Sequence, residues 1–392
     1  MKDKKWGLFE RYGIELEYMI CDQNTLNVLP IADALIFEIA KGYVNEIAAG
    51  EISYSNELAL HLIELKTTEP VKDLSKVADH FQEHVSRLNK ILQKFNACLL
   101  PTGMHPWMNP HTELRLWTHE QNPIYEAYHR IFDCRGHGWA NLQSAHLNLS
   151  FSSDEELKLL HSAIRWLLPI MPALSASSPV ADNEITGFCD TRLEMYRKNQ
   201  IRIPSIIGHI VPEPIASREE YFQKILRPMW RDIAPYDPES ILQEEWLNSR
   251  GAIVRFDRNA IEIRVLDTQE SPFFDVCILK AIDKGLKYLV NRLRNKEIVY
   301  DAIPTEELSR LFLRVVKQGD ETLIENKEYL DLFGQKGPMT ASALWGKIAG
   351  MDRKSLSRKI AEKWNSSSSQ EEKRQIYQDL ATCLESGNQY GG

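Results

Sequence analysis

The sequence has little cysteine, and the cysteines that it has lie far apart along the chain. No CxxC pair is present, so the common patterns of zinc sites and redox motifs are missing. None of the thiols lies in a context that would activate it as a nucleophile. We therefore expect a reduced, cytoplasmic protein. The cysteines are Cys21, Cys98, Cys134, Cys189, Cys277 and Cys383.

Long apolar runs and an excess of basic residues are also missing. No apolar run reaches the roughly 20 residues that cross a bilayer, so we expect no membrane span. The first residues carry charges with no apolar segment after them, which is unlike a secretory signal. The formal net charge is -8. This charge argues against general nucleic-acid binding, because nucleic acids attract basic protein faces.

No glycine-rich phosphate loop follows a predicted strand, and strands do not alternate regularly with helices. Both absences disfavour dinucleotide-binding and P-loop folds. They favour an α+β fold with a mainly antiparallel sheet. We expect a catalytic domain over residues 1–300. A helical extension over residues 301–392, packed on the same domain, is expected to end in a flexible tail.

Three predicted strands carry charged or polar side chains at every second position. Side chains two apart on a strand share one face, and here the other face is apolar. Recurrence of this pattern predicts a sheet with one charged face that holds cations and a charged substrate. The pairs are Glu15 and Glu17 in RYGIELEYMI, His146 and Asn148 in SAHLNLSF, and Glu262 and Arg264 in NAIEIRVLD.

Two further glutamates, Glu57 and Glu64, lie in the segment 51–67. This segment is predicted to be a pair of strands or one bent strand. Seven residues separate the two glutamates, so on one uninterrupted strand they would face opposite ways. For both to reach one site, the chain must bend or bulge between them, near Ala59 and Leu60.

The negative charges of clustered carboxylates repel one another unless cations or protons neutralise them. Two unit charges about 4 Å apart interact by roughly 4 kcal/mol at an effective dielectric of 20. The cluster therefore predicts bound Mg²⁺ or Mn²⁺, or raised pKa values. Arg192, Arg255 and Arg264 are candidates for binding phosphate or carboxylate groups. Metal ions with arginines are the equipment of phosphoryl transfer.

Each pair alone has a simpler interpretation. A single E-x-E is usually a solvated face, H-x-N a hydrogen-bonded pair and E-x-R a surface ion pair. Recurrence on three strands is what favours a shared site. His105, in the TGMHPW loop, is a weaker candidate for substrate binding, since loop packing is the simpler interpretation.

In these residues the sequence resembles the glutamate–cysteine ligase family 2, the carboxylate–amine ligases. RYGIELEYMICD looks like the opening strand of that family. Later segments match its pattern in the same order and extend the resemblance over roughly residues 10–290, about three quarters of the chain. They are NELALHLIELKT, LLPTGMHPW, ALSASSP followed by TGFCDTRLEMYR, and AIEIRVLDTQ.

The resemblance implies a glutamine-synthetase-like fold, with a curved, mainly antiparallel sheet backed by helices. It also implies that ATP and Mg²⁺ (or Mn²⁺) join the γ-carboxylate of glutamate to an amine such as cysteine through an acyl phosphate. Arg264 would meet the transferred phosphate beside Glu262. Arg192 would contact the substrate or a phosphate, and the loop of His105 would lie beside the amino-acid site. The implied metal ligands are Glu15, Glu17, Glu57, Glu64, His146 and Glu262.

Ser177 and Val180 depart from the family pattern near the first Ser-Pro, which leaves the amine open. Two alternatives also remain: a phosphotransferase on the same fold, and a non-catalytic ATP–Mg binding protein. The expected partners are small molecules (an amino acid, an amine and ATP), with no nucleic acid and no membrane. A homo-oligomer is compatible with the sequence. The loop-rich segment 173–217 is expected to cover the site.

Overall fold

The computed structural model describes residues 5–391. Its strands are β1 (Tyr12–Asp22), β2 (Glu46–Ala48), β3 (Ile52–Asn56), β4 (Leu62–Thr67), β5 (Ala97–Leu100), β6 (Ser144–Ser150), β7 (Val180–Ala181), β8 (Glu184–Ile185), β9 (Ala252–Arg255), β10 (Ala260–Asp267), β11 (Leu323–Ile324) and β12 (Met339–Thr340).

The longer strands form one eight-stranded sheet in the order β2-β3-β4-β1-β6-β10-β9, with β5 paired to β1. Every pairing in this sheet is antiparallel. The short strands form two separate pairs, β7 with β8 and β11 with β12. The predicted α+β class with a mainly antiparallel sheet is confirmed.

Helices make up most of the remaining structure, and 3-10 or π turns join several of them. The helices are α1 (Ala32–Ala40), α2 (Val77–Leu92), α3 (Pro110–Glu113), α4 (Asn122–Phe132), α5 (His137–Ala140), α6 (Asp154–Leu167), α7 (Pro172–Ser175), α8 (Thr191–Tyr196), α9 (Arg218–Tyr221), α10 (Arg227–Ile233), α11 (Pro272–Arg294), α12 (Thr305–Gln318), α13 (Lys327–Leu332), α14 (Ala341–Ala349), α15 (Leu356–Ser366) and α16 (Gln370–Ser386). No helix within residues 5–391 is both long and apolar enough to cross a membrane.

The apolar parity of the strands forms the core. Ile14 and Leu16 of β1 are fully buried, in one cluster with Phe81 and Val85 of α2 and Leu286 of α11. Helix α11 packs on both α2 and α6. Because these helices cover the apolar face of the sheet, its other face is left to carry the charged side chains.

The C-terminal part is helical, and it packs on the rest of the chain. Helix α12 packs on α7, α14 on α11, and α16 on both β5 and α2. The prediction of a flexible tail is not supported for the part of the tail that the structure describes. Tyr390 is 1% exposed, and its carbonyl oxygen accepts a bond of 3.0 Å from Lys359 Nζ.

Candidate active site

The charged face of the sheet forms the floor of a cavity of about 380 Å³. Nearly all of the predicted site residues line it, contributed by strands far apart in sequence and by loops above them. We call this space the charged cavity. The predicted residues that line it are Glu15, Glu17, Glu57, Glu64, His146, Arg192, Arg255, Glu262 and Arg264.

Glu15, His146 and Glu262 form its tightest group, with one ligand atom from each within 4.8 Å of the others. Antiparallel pairing explains the approach: Glu15 lies opposite His146 in the register of β1 and β6, and β10 is the next strand. His146 Nδ1 lies 2.9 Å from Glu15 Oε2 and 3.9 Å from Glu262 Oε1. Two carboxylates and an imidazole are a donor set that suits a divalent cation.

The pKa values of this group reflect its pairing. Burial alone would lower the pKa of His146, but the hydrogen bond that it donates to Glu15 and the charge of Glu17 raise it to about 9. Burial alone would raise the pKa of Glu15, yet the hydrogen bond that it accepts from His146 and the charges of His146 and Arg258 lower it. Without a metal ion, the imidazolium of His146 therefore supplies the positive charge between the glutamates.

A second acidic group lies toward β3. Glu17 accepts bonds from the backbone N–H and the hydroxyl of Ser144, at 2.7 and 2.8 Å. It lies opposite Glu64 in the register of β1 and β4. Burial and the charge of Glu15 raise the pKa of Glu64 to about 7, although Lys66 Nζ lies 3.2 Å from its carboxylate.

Glu57 reaches the same cavity because the chain turns between β3 and β4. The predicted bend is a turn over residues 57–61 that joins the two strands as a hairpin. Burial and the charges of Glu17 and Glu64 raise the pKa of Glu57 well above its ordinary value. Raised pKa values at Glu57 and Glu64 mean that this end of the cavity is short of positive charge.

Arginines flank the opposite end, on β9, β10 and the turn between them. Arg264 donates a short hydrogen bond to Glu262, and Arg255 Nη1 lies 3.3 Å from Glu262 Oε2. Arg258 Nη1 lies 3.5 Å from Glu15 Oε1. Burial alone would raise the pKa of Glu262, but the charge of Arg264 lowers it. The cavity thus presents guanidinium groups beside carboxylates, an arrangement that binds anions and cations close together.

Arg192 enters the cavity from the loop-rich segment, at the start of α8. Its Nε donates a hydrogen bond of 2.5 Å to the carboxylate of Asp267. The same carboxylate also accepts hydrogen bonds from the Ser177 N–H and the Ser178 hydroxyl, at 2.9 and 2.7 Å. Arg192 Nη2 is buried without a hydrogen-bond partner among residues 5–391. Asp267 therefore fixes the guanidinium of Arg192 at the wall of the cavity.

His105 is the predicted site residue that the structure does not bring to this cavity. Its side chain is fully buried, and its Nε2 lies 2.7 Å from the carbonyl oxygen of Leu26. Burial lowers the pKa of His105 to about 4. The Asn141 side chain bonds both the N–H and the carbonyl of His105. Loop packing, the alternative to substrate binding, therefore accounts for the placement of His105.

Other lining residues were missed by the sequence reasoning. Lys66 and Ser144 share strand parity with Glu64 and His146, so the alternation already contained a signal for them. Arg258 lies in the turn before β10, where alternation gives no direction. The aromatic wall of the cavity had no signal, because its residues come from helices and turns. That wall comprises Tyr125, Tyr128, Trp139, Tyr196 and Trp246.

A second cavity of about 420 Å³ adjoins the charged cavity. The two share Glu15, Lys66 and Arg258 as lining residues. We call the second space the rim cavity, because it lies at the start of β1 and β10 and the ends of β4 and β6. Its further lining includes Trp6, Arg11, Thr67, Thr68, Asn148, Ser150 and Asp257.

Comparison with known proteins bears directly on this site. The sequence model described as "Glutamate-cysteine ligase family 2 (GCS2)" matches residues 11–303. This range contains every residue of the charged cavity.

Some similar proteins carry the name of this family, and one that is more similar carries no functional name. An uncharacterized protein of Archaeoglobus fulgidus is 38% identical over 69% of this chain and 72% of its own length. Two proteins named "Putative glutamate–cysteine ligase 2" are each 25% identical. The Cronobacter sakazakii protein matches over 54% of this chain and 52% of its own length, and the Corynebacterium glutamicum protein over 47% and 46%. The chain thus spans about half the length of these named relatives.

Among solved structures, the glutamate–cysteine ligase of Francisella tularensis in complex with AMP is similar in fold. The TM-score is 0.61, with 13% sequence identity, over 99% of this chain and 90% of that one. The likeness shows a glutamine-synthetase-like fold, as predicted.

Proposed function

Because this chain belongs to the glutamate–cysteine ligase family 2, we propose that it is an ATP-dependent carboxylate–amine ligase. The observation that carries the proposal is the group of Glu15, His146 and Glu262 beside Arg255 and Arg264 in one cavity. The proposed reaction joins the γ-carboxylate of glutamate to an amine such as cysteine.

The donor atoms fit a divalent cation, Mg²⁺ or Mn²⁺. Glu15, His146 and Glu262 would hold one ion, and the raised pKa values of Glu57 and Glu64 favour positive charge at the second acidic group. When bound, such an ion would neutralise phosphate oxygens of ATP and help to hold them in place.

The rim cavity is the proposed entrance of the nucleotide. It meets the charged cavity at Glu15, Lys66 and Arg258, so phosphates at this junction would lie beside both acidic and basic side chains. The acid and the amine would then occupy the charged cavity. Two adjoining cavities suit a reaction that brings a nucleotide and two other substrates together.

The proposed chemistry has two steps. An oxygen of the substrate carboxylate attacks the γ-phosphorus, the bond to the bridging oxygen breaks, and ADP leaves with that electron pair. The amine nitrogen, as the free base, then attacks the acyl carbon. The bond from that carbon to the phosphate oxygen breaks, phosphate leaves with the electron pair, and the nitrogen loses a proton to give the amide.

The chain's own side chains would position and neutralise the reacting groups. Arg264 and Arg255 would bind the transferred phosphoryl group, whose charge they meet in a partly enclosed site. Arg192, held by Asp267, would bind the acid substrate or the same phosphate. The predicted cover segment contributes Arg192, Tyr196 and Asn199 to the lining, which supports its proposed role in excluding water from the acyl phosphate.

The test is ADP release and product mass with ATP, Mg²⁺, glutamate and a panel of amines. We expect ADP release to require both the acid and an amine, and to yield a glutamyl amide. ATP turnover with neither substrate would contradict the proposal. A stable phosphorylated product without an amide would instead identify a phosphotransferase. ATP–Mg²⁺ binding without turnover across the panel would identify a non-catalytic binding protein.

A further inference from the structure

One wall of the charged cavity is aromatic. Tyr128 of α4, Trp139 of α5 and Trp246 contribute to its wall, with the Tyr128 ring centroid 5.1 Å from that of Trp139 and 6.1 Å from that of Trp246. Leu58 and Leu142 also line the cavity. The metal-type group of Glu15, His146 and Glu262 explains none of this apolar surface.

The aromatic rings pack against one another and against the hydrophobic core, and part of their surface lines the cavity. Tyr128 and Trp246 are each only partly buried, although large aromatic side chains gain most from full burial. The indole N–H of Trp139 is buried and has no acceptor in the described part of the chain. A partly exposed aromatic wall inside a cavity is a surface on which an apolar group of a ligand can pack.

Glu57 lies in the same cavity without a partner of its own. Its carboxylate makes no hydrogen bond or ion pair with any residue from 5 to 391, whereas Glu15, Glu17, Glu64 and Glu262 all make such contacts. The Tyr125 hydroxyl is its neighbour: burial and the charge of Glu57 together raise the pKa of Tyr125. Asn56 bonds that hydroxyl at 2.9 Å.

Resting on the proposed ligase function, we infer that the amine substrate carries an aromatic or other bulky apolar side chain. Its ammonium group binds at Glu57, and its side chain packs against Tyr128, Trp139 and Trp246. Aromatic faces attract cations as well as apolar groups, so both parts of such an amine are satisfied here. A side chain as small as that of cysteine would leave most of the wall in contact with water.

A matched pair of amines tests this inference. Phenethylamine and ethylamine differ only by a phenyl ring, and each is supplied with ATP, Mg²⁺ and glutamate while ADP and amide are measured. We expect kcat/KM for phenethylamine to exceed that for ethylamine by at least about 30-fold, since the ring leaves water for the aromatic wall. A ratio near one, or a preference for cysteine over phenethylamine, would overturn the inference.

Two tryptophan variants test whether the preference for phenethylamine arises at the aromatic wall. Trp246→Ala should reduce the ratio of phenethylamine to ethylamine at least fivefold. Trp230→Ala, a partly buried tryptophan outside the cavity, should leave it unchanged. Because each ratio is measured within one preparation, a loss of folded protein cancels. An unchanged ratio in Trp246→Ala would place the amine side chain elsewhere and contradict the inference.

Hydroxylamine separates this inference from the function on which it rests. It is small enough to need no aromatic wall, and it converts an acyl phosphate to a hydroxamate. Hydroxamate formation together with a ratio near one would leave the ligase standing and reject the aromatic amine. If neither hydroxamate nor ADP forms with any acid, the ligase proposal itself fails, and the inference fails with it.

Discussion

Glu262 lies between the acidic group of the charged cavity and its arginines. Its carboxylate lies 3.9 Å from His146 Nδ1 on the neighbouring strand and accepts hydrogen bonds from Arg255 and Arg264. Glu262→Gln keeps the shape of the side chain but removes its charge. We expect kcat to fall at least about 100-fold, comparable with the loss of one electrostatic contact in other enzymes.

The fold should survive this change, with an unchanged far-UV circular dichroism spectrum and a lower midpoint of thermal unfolding. Glu239→Gln, on the exposed surface, is the control and should retain full activity. Wild-type activity in Glu262→Gln would remove this residue from the catalytic machinery.

His146 provides a pH prediction. A metal ion binds the neutral imidazole, so binding at pH 8 must displace the proton that His146 holds with a pKa of about 9. We expect release of close to one proton per Mn²⁺ near pH 8, falling toward none above pH 10. Titration calorimetry in two buffers with different ionisation enthalpies measures it. The absence of proton release at pH 8 would exclude His146 as a ligand.

The raised pKa of His146 also makes the stability of the metal-free protein depend on pH, and the direction of that dependence follows from the shift. The pKa of His146 is raised from an unfolded value of about 6.5. The ion pairs of its imidazolium therefore stabilise the folded state fully below pH 6.5. This stabilisation is lost as the pH rises through about 9. Metal ions should consequently stabilise the protein most at alkaline pH.

At the scale of elements, strand alternation was the reliable signal. It placed Glu15, Glu17, His146, Glu262 and Arg264 on one face, and antiparallel neighbours then brought them side by side. The period of two is a local property of the backbone, so it can be read without knowing the fold. The catalytic and binding roles of these residues remain predictions.

Alternation could not show where a strand becomes irregular. The register of β10 against β6 shifts between Ile263 and Leu266, a bulge that places an extra residue beside the site. Nor could it show that Trp139 and Trp246 meet Tyr128, since helices and turns far apart in sequence are positioned by packing. His105 was misplaced for a related reason: a polar residue in a loop can be satisfied by backbone groups such as the Leu26 carbonyl.

The loop before α3 packs tightly on β10, and Gly103 permits the contact. A Cβ atom at Gly103 would lie 2.3 Å from the carboxyl carbon of Asp267, the residue that holds Arg192. Gly103→Ala should therefore lower both the unfolding temperature and kcat, because Asp267 must move. Gly42→Ala, where a Cβ would meet nothing within 4 Å, is the matched control. Equal effects of the two changes would contradict this account.

At the scale of the whole molecule, the last residues pack on the C-terminal helices, which share one buried cluster with residues of β1 and β5. Tyr390 is buried in one cluster with Trp364 and Tyr377, and Lys363 Nζ lies 4.3 Å from the centre of its ring. Tyr390→Ala should lower the free energy of unfolding by about 3–5 kcal/mol, as for other buried aromatic truncations. Urea denaturation measures this change.

Tyr43 is the comparison, since it is 57% exposed. Tyr43→Ala should cost less than about 1 kcal/mol. Equal costs for the two tyrosines would indicate that the C-terminal residues do not dock in solution.

The charged cavity and the rim cavity are neighbours with different linings, and they share Glu15, Lys66 and Arg258. Because only these three residues line both, we expect that a molecule in either one can leave without passing through the other. If the nucleotide and the amide occupy them as proposed, spent ADP and finished product have separate exits. Geometry then imposes no fixed order of product release. In steady-state inhibition, ADP would compete with ATP, and the amide would compete with the acid and the amine.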